Sequence, residues 1–173
     1  MFQNQQILYN VSGRKLKDLK SAGLDQLNIS LDTLEEKKYS FITRRPPKGF
    51  QKVMQSIEKS IEMDYLPLKI NCVVMRGLND DEITSFVKWT QDKPVDVRFI
   101  EYMPFDGNKW NDKKMVPYQE MIQVIQKEFP EFYRCEDLDA KNDTSKAWKV
   151  PGYLGSVGKS FELFISVCEI SMK

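Results

Sequence analysis

Three short segments of this sequence alternate polar and apolar residues, and two of them carry a cation on the polar side. In a β-strand, such alternation places the polar side chains on one face and the apolar side chains on the other. Because an unpaired buried charge is costly, a sheet that repeats this pattern is expected to hold a polar ligand. A lysine or an arginine on that face can neutralise a phosphate. The polar residues concerned are Asn28, Ser30 and Asp32 in the first segment, Lys69 and Asn71 in the second, and Asp96 and Arg98 in the third.

Each cation also has a purely structural interpretation. Lys69 could run along the sheet and place its amine in solvent. Arg98 could simply pair with Asp96 on the same face. The sequence favours an anion-binding role for Lys69, because Asn71 shares its face and adds a second polar group. The same reasoning gives Arg98 an anion-binding role.

The composition describes a globular domain without a strong overall charge. The chain has 173 residues, of which 41% are hydrophobic and 29% are charged, and its formal net charge is +1. This balance argues against a nucleic-acid-binding or membrane-surface protein, and no apolar run is long enough to span a bilayer. There is no histidine, and the three cysteines, Cys72, Cys135 and Cys168, stand far apart. We therefore expect no zinc site or iron–sulfur cluster built by these residues alone.

Helical and strand-like segments alternate along most of the chain. We expect a first helix to end at Gly23, and Asn79 with Glu82 to form a capping box at the start of a later helix. The alternation predicts a parallel α/β sheet with right-handed crossovers, either a barrel or an open doubly wound sheet. In both, ligands bind at the carboxyl ends of the strands. The predicted strands are 25–32, 66–75, 94–103 and 161–170, and the predicted helices are 34–43, 50–63, 80–92 and 117–129.

Residues 152–160 mimic a phosphate-binding loop. The pattern GxxxxGK[ST] requires a glycine at position 153, where this chain has Tyr153. It also requires a buried strand before the loop and a helix after it, whereas the sequence from Phe161 onward is typical of a strand. The sequence therefore argues against a phosphate loop at Lys159.

Three stretches of the sequence carry a family resemblance: LNISLDTL at 27–34, KINCVVMRGLNDDE at 69–82 and DVRFIEYMPFDGNKWN at 96–111. Together they resemble the GTP 3',8-cyclases of molybdenum cofactor biosynthesis in their eukaryotic form, which belong to the radical S-adenosylmethionine superfamily. The resemblance implies an incomplete (β/α) barrel of radical SAM type, holding the later strands only, with an irregular C-terminal segment. We expect a divergent segment at 1–12, the partial barrel at 13–130 and a C-terminal extension at 131–173 that diverges after residue 155.

The resemblance also implies an activity. In the intact family, S-adenosylmethionine and two [4Fe–4S] clusters convert GTP to (8S)-3',8-cyclo-7,8-dihydroguanosine 5'-triphosphate. By position, Ser30 and Met103 correspond to S-adenosylmethionine contacts, and Lys69 and Arg98 to residues that bind GTP. Arg98 and Met103 have opposite parity in a regular strand, so both serve one cavity only through a bulge or through the Met103 backbone.

The cysteine motifs of the family are absent from this sequence. The first cluster requires CxxxCxxC and the second a further cysteine motif, and neither occurs among the 173 residues. Cys135 and Cys168 do not replace three thiolates. We therefore expect a chain truncated at both ends, without catalytic or metal-binding residues of its own, and inactive alone. The alternative is a non-catalytic form that binds GTP, forms a homodimer or associates with the full-length enzyme. The resemblance implies the mitochondrial matrix, and otherwise the cytoplasm.

Overall fold

The structure is a computed structural model that describes residues 5–8, 13–103, 112–135 and 146–159. Its elements form one sheet of seven strands and five α-helices in these ranges. The predicted strand at 161–170 lies outside the described residues. The strands are β1 (Gln5–Leu8), β2 (Gln26–Ser30), β3 (Leu68–Val74), β4 (Val95–Glu101), β5 (Tyr133–Arg134), β6 (Lys146–Lys149) and β7 (Ser156–Lys159). The helices are α1 (Gly13–Ser21), α2 (Glu36–Thr43), α3 (Lys48–Glu62), α4 (Ile83–Trp89) and α5 (Tyr118–Glu128).

The strand order of the sheet distinguishes the two predicted architectures. The order is β1-β2-β3-β4-β7-β6-β5, so the first four strands are neighbours in chain order. They are parallel to one another and to β7, while β6 is antiparallel to both of its neighbours. A doubly wound sheet would reverse its strand order at a switch point. The progression without reversal is that of a barrel, and the described strands do not close the sheet, which confirms the predicted partial (β/α) barrel.

The helices pack against a single face of this sheet. Alternate residues of the strands and the inward faces of α1, α3, α4 and α5 form one buried apolar cluster. Phe86 of α4 meets Phe99 of β4 edge-on, with ring centroids 6.1 Å apart. Each buried aliphatic or aromatic side chain of this kind contributes about 1.5–3 kcal/mol. The strand residues in the cluster are Leu27, Ile29, Leu68, Ile70, Cys72, Val74, Val95, Val97, Phe99 and Val157.

Two turn predictions have opposite outcomes. Gly23 has φ +86° and follows α1. Its N–H donates to Lys20 O, and the Leu24 N–H donates to Leu19 O, both at 3.0 Å. This pair of bonds is a Schellman motif, so the predicted helix end is confirmed. The prediction that Asn79 and Glu82 form a capping box is wrong, because Asn79 makes no side-chain capping bond and a 3₁₀ turn precedes α4.

Asn79 instead ties together the carboxyl ends of β2 and β3. Its Nδ2 donates to Asp32 O at 2.7 Å and to Val73 O at 2.9 Å. Its Oδ1 accepts the Met75 N–H at 2.7 Å. The capping signal failed here because the same amide that caps a helix also pairs with backbone groups left open where strands end.

Glu82 makes a second tie between the loops that follow β2 and β3. The buried carboxylate accepts the Thr33 hydroxyl and the Leu34 N–H, each at 2.7 Å. Lys38 donates to it at 3.1 Å. Desolvation lowers the pKa of Lys38, but its bonds to Asp81 and Glu82 outweigh this effect and raise the pKa. Both loops are therefore held at the edge of the sheet where ligands bind in parallel folds.

Residues 146–159, the last segment that the structure describes, belong to the same sheet. Lys159 ends β7, which pairs in parallel with β4, so the segment is a strand and not the phosphate loop that it mimics. The predicted domain limits after residues 12 and 130 remain predictions, since β1 and β7 both extend the central sheet. Among the helices of the described ranges, none is long and apolar enough to cross a membrane.

Candidate functional site

Polar side chains line the face of the sheet that lies opposite the helices, which we call the polar face. Parallel pairing places its residues in two rows across neighbouring strands, because residues in register share a face. Row one lies nearer the amino ends of the strands, and row two lies one step nearer the carboxyl ends. Row one consists of Asn28, Lys69, Asp96 and Ser156, and row two consists of Ser30, Asn71, Arg98 and Gly158.

Both cations of the polar face are deeply buried. Lys69 is 6% exposed and Arg98 is 3% exposed. Lysine and arginine are almost never buried to this extent without a partner. The interpretation of Lys69 as a side chain with its amine in solvent is therefore wrong. Asp96 is the one carboxylate in the two rows, so Lys69 and Arg98 leave them with one net positive charge.

Each cation has a partner on the polar face. The Lys69 amine donates to Gln26 Oε1 at 2.8 Å. The Arg98 Nε donates to Asp96 Oδ2 at 2.8 Å, which is the ion pair that the structural interpretation of Arg98 anticipated. Asp96 also accepts the Ser156 hydroxyl at 3.0 Å through its other oxygen. The role of either cation in binding GTP remains a prediction.

Four buried polar atoms lie beside these cations, on β2 and β3, and have no hydrogen-bond partner in the described part of the chain. They are Asn28 Oδ1, Ser30 Oγ, and Asn71 Oδ1 and Nδ2. Asn28 is 1% exposed and Asn71 is 3% exposed. An unsatisfied buried group of this kind costs about 1–3 kcal/mol, and such groups are rare in folded proteins. A ligand that offers donors and acceptors at this place would remove the cost.

The structure brings three of the four predicted binding residues onto one surface. Ser30 is the last residue of β2 and lies in row two beside Asn71, which separates it from Arg98 in the same row. Lys69 lies in row one. Met103 lies two residues beyond the end of β4 and is 44% exposed. The parity conflict between Met103 and Arg98 does not arise, because strand alternation ends before Met103. Their roles toward S-adenosylmethionine remain predictions.

Two residues of the face were not selected from the sequence as ligand contacts. Asn28 and Asn71 were placed on the polar side by the alternation, and Asn71 was used only to support Lys69. The available signal was an amide inside a strand, a position where asparagine is disfavoured. A residue that weakens a strand and is fully buried there is a candidate for ligand recognition.

The residues described here do not fit an iron–sulfur cluster. Cys72 is buried on the helix side of β3, where burial raises the pKa of its thiol well above the usual value, with further contributions from Asp32 and Glu82. A cluster ligand must be a thiolate, which this environment disfavours. Cys135 is partly exposed beyond β5, and Cys168 lies outside the described residues. No group of three candidate ligands for a metal ion occurs in the described ranges.

Comparison with known proteins identifies the class. A family model described as the radical SAM superfamily matches residues 6–90, from β1 through α4. The matched region contains Ser30 and Lys69 and both loop ties. The chain therefore belongs to the radical SAM superfamily.

Within this superfamily the chain is a relative of proteins of molybdenum cofactor biosynthesis. Molybdenum cofactor biosynthesis protein 1 of Bos taurus is 55% identical over 144 residues, which cover 83% of this chain and 22% of the bovine protein. The mitochondrial GTP 3',8-cyclase of Arabidopsis thaliana is also 55% identical over 144 residues, covering 83% of this chain and 36% of the plant protein. The GTP 3',8-cyclase of Listeria welshimeri is 38% identical over 147 residues, covering 84% of this chain and 43% of that protein. The chain thus spans less than half the length of these relatives.

The unpaired amide of Asn71 generates a stability prediction. Leucine has nearly the shape of asparagine and carries no polar atoms, so Asn71→Leu removes two unsatisfied groups without opening a cavity. We expect the free energy of unfolding without ligand to rise by about 1–2 kcal/mol. Urea denaturation followed by circular dichroism measures this change. A loss of stability would show that Asn71 is already satisfied in the ligand-free protein.

Asp32 generates a pH prediction. Burial raises the pKa of this carboxyl to about 6, against the opposing effect of the bond that it accepts from the Val73 N–H at 2.9 Å. At pH values between the ordinary pKa of 3.8 and the raised pKa of about 6, the folded state therefore binds more protons than the unfolded state. For this reason the Asp32 carboxyl makes folding more favourable as the pH falls through this range. Asparagine keeps the acceptor oxygen and does not ionise.

We therefore expect Asp32→Asn to be more stable than the wild type at pH 7.5, by up to about 3 kcal/mol. The difference should shrink as the pH is lowered toward 4. Parallel urea titrations of both proteins at several pH values measure it, and the other carboxylates cancel in the comparison. A stability difference that stays constant with pH would contradict a raised pKa for Asp32.

Proposed function

We propose that this chain forms the nucleotide-binding wall of a GTP 3',8-cyclase-like radical SAM protein that acts in molybdenum cofactor biosynthesis. The observation that carries the proposal is the polar face, where two buried cations lie among four buried polar atoms without described partners. A triphosphate supplies negative charge and acceptors, and a nucleoside supplies hydroxyl and amide groups. One ligand of this chemistry would satisfy both requirements of the face.

The two cations would bind the phosphates of GTP. Lys69 acts as a compact charge, and Arg98 offers the planar fork that suits a phosphate. Their burial supports this role, since an electrostatic interaction in a site removed from water is stronger than one at the surface. Asn71 lies next to Arg98 in row two, Ser30 lies next to Asn71, and both would hydrogen-bond the uncharged parts of the bound molecules.

S-adenosylmethionine would bind at the carboxyl ends of β2 and β4. The buried hydroxyl of Ser30, unpaired among the described residues, suits a polar contact with this cofactor. Met103 follows β4 at the same edge of the sheet and is accessible. The two [4Fe–4S] clusters that the family uses would need ligands from outside this sequence. Without them we propose that the chain has no turnover of its own.

A non-catalytic binding role is the second candidate. The described sheet is open, and β1 has β2 as its one described neighbour. An open edge of backbone N–H and C=O groups favours pairing with another chain. In this role the chain would bind GTP and associate with the full-length enzyme or with a second copy of itself.

The location that we propose is the mitochondrial matrix. The name of the Arabidopsis relative places that protein in the mitochondrion, and it is 55% identical to this chain over 144 residues. The assignment for this chain rests on that relationship.

Titration of GTP tests the binding face directly. We expect Lys69→Ala to weaken GTP binding by about 10- to 100-fold, because one hydrogen bond between charged groups is worth about 1.5–3 kcal/mol. Isothermal titration calorimetry with both proteins gives the dissociation constants. Lys59→Ala is the matched control, since Lys59 is exposed on α3 and pairs with Glu62 at 2.6 Å. Equal affinity for GTP in the wild type and in Lys69→Ala would contradict the proposal that the polar face binds GTP.

Anaerobic reconstitution with iron and sulfide tests the prediction that the chain is inactive alone. After reconstitution we expect no conversion of GTP in the presence of S-adenosylmethionine, since neither cysteine motif of the family occurs in the sequence. Product chromatography and an iron determination per chain are the measurements. Turnover, or uptake of four iron atoms per chain, would overturn this part of the proposal.

A further inference from the structure

We infer that Asp96 and Ser156 position the guanidinium of Arg98 for a phosphate group, so that β7 is part of the binding machinery. The inference rests on the proposed function, because it names the residues that orient an anion-binding side chain of the same site. Neither residue belongs to the binding set derived from the sequence.

The three side chains form a continuous chain of hydrogen bonds. The Arg98 Nε donates to Asp96 Oδ2 at 2.8 Å. The Ser156 hydroxyl donates to Asp96 Oδ1 at 3.0 Å. Both oxygens of the carboxylate are therefore engaged, one by the cation and one by the neighbouring strand. Asp96 is 8% exposed, so water competes little for these bonds.

Orientation matters for an arginine more than for a lysine. The arginine side chain has about 2 kcal/mol of rotamer entropy, and its fork binds a phosphate well only in the correct plane. A bond at Nε fixes the plane in which the terminal nitrogen atoms lie. Asp96 performs this task from the same strand, two residues before Arg98 and on the same face.

The backbone that leads into β7 passes close to β4, and this close approach places Ser156 beside Asp96. Gly155 immediately precedes the strand, and its N–H donates to Thr90 O at 2.9 Å. A Cβ at this glycine would lie 2.3 Å from Val95 O and 2.7 Å from Lys93 O. Only a glycine allows this approach. The close contact sets the register in which Ser156 lies beside Asp96.

The effect of removing the charge of Asp96 on the affinity for GTP distinguishes a positioning role from simple proximity. A carboxylate close to a phosphate repels it, so removing the charge would tighten GTP binding if Asp96 were only a neighbour. Asparagine replaces one carboxylate oxygen by an NH₂ donor and carries no charge, so the two charge-assisted bonds that hold Arg98 and Ser156 become weaker neutral contacts. A positioning role therefore predicts weaker binding in Asp96→Asn, which is the opposite sign.

The experiment measures by calorimetry the affinity of the wild type and of six variants for GTP and for guanosine, and two of these variants are Arg98→Ala and Lys69→Ala. We expect Asp96→Asn to weaken GTP binding by about 10-fold and Ser156→Ala by about 3- to 10-fold, as for the loss of one hydrogen bond. Guanosine, which has no phosphate, should bind all variants equally. Ser156→Thr keeps the hydroxyl and should retain the wild-type affinity. Ser40→Ala on α2 is the control, because it removes a hydroxyl that bonds to Glu36 O within its own helix.

The outcomes distinguish the inference from the proposed function. If Arg98→Ala weakens GTP binding while Asp96→Asn tightens it, or while Ser156→Ala leaves it unchanged, the positioning role is overturned and the binding face stands. An equal loss for GTP and guanosine would also overturn it, because the effect would then be structural. If neither Arg98→Ala nor Lys69→Ala changes the affinity for GTP, the proposed function fails together with the inference.

Discussion

The burial of two cations on one side of a parallel sheet is the constraint on which this structure depends. The helices of the described ranges lie on the other side of the sheet, so the apolar cluster does not help to accommodate these charges. Lys69 and Arg98 are accommodated by neighbours on their own face, Gln26 and Asp96. The face still contains amide and hydroxyl groups that no described residue satisfies. A fold under selection for stability alone would place apolar side chains there.

The rest of the architecture holds this face in place. Consecutive parallel strands bring Ser30, Asn71 and Arg98 into one row, with no loop needed to position them. Asn79 and Glu82 then join the loops at the carboxyl ends of β2 and β3, so the mouth of the site is built from bonded side chains and backbone. Rigid strands and tied loops together give the preorganised geometry that binding sites require.

The sequence predicted those parts of the site that depend on local pattern. The period-two alternation around Lys69 and Arg98 correctly assigned both faces of β3 and β4, because one face had to be apolar to meet the helices. Local pattern could not find the partnership of Asp96 with Ser156, which lies 60 residues further along the chain. It also misjudged Asn79, since the residue types that cap helices are those that tie strand ends.

The antiparallel turn between β6 and β7 gives the sheet two unlike borders. On one side the last strand is β5, two exposed residues long, and it offers a docking partner almost no backbone. On the other side lies β1, four residues long and running in the direction of the barrel strands. Among the described strands, β1 is therefore the border at which a further strand could pair, whereas the short β5 limits pairing at the opposite border.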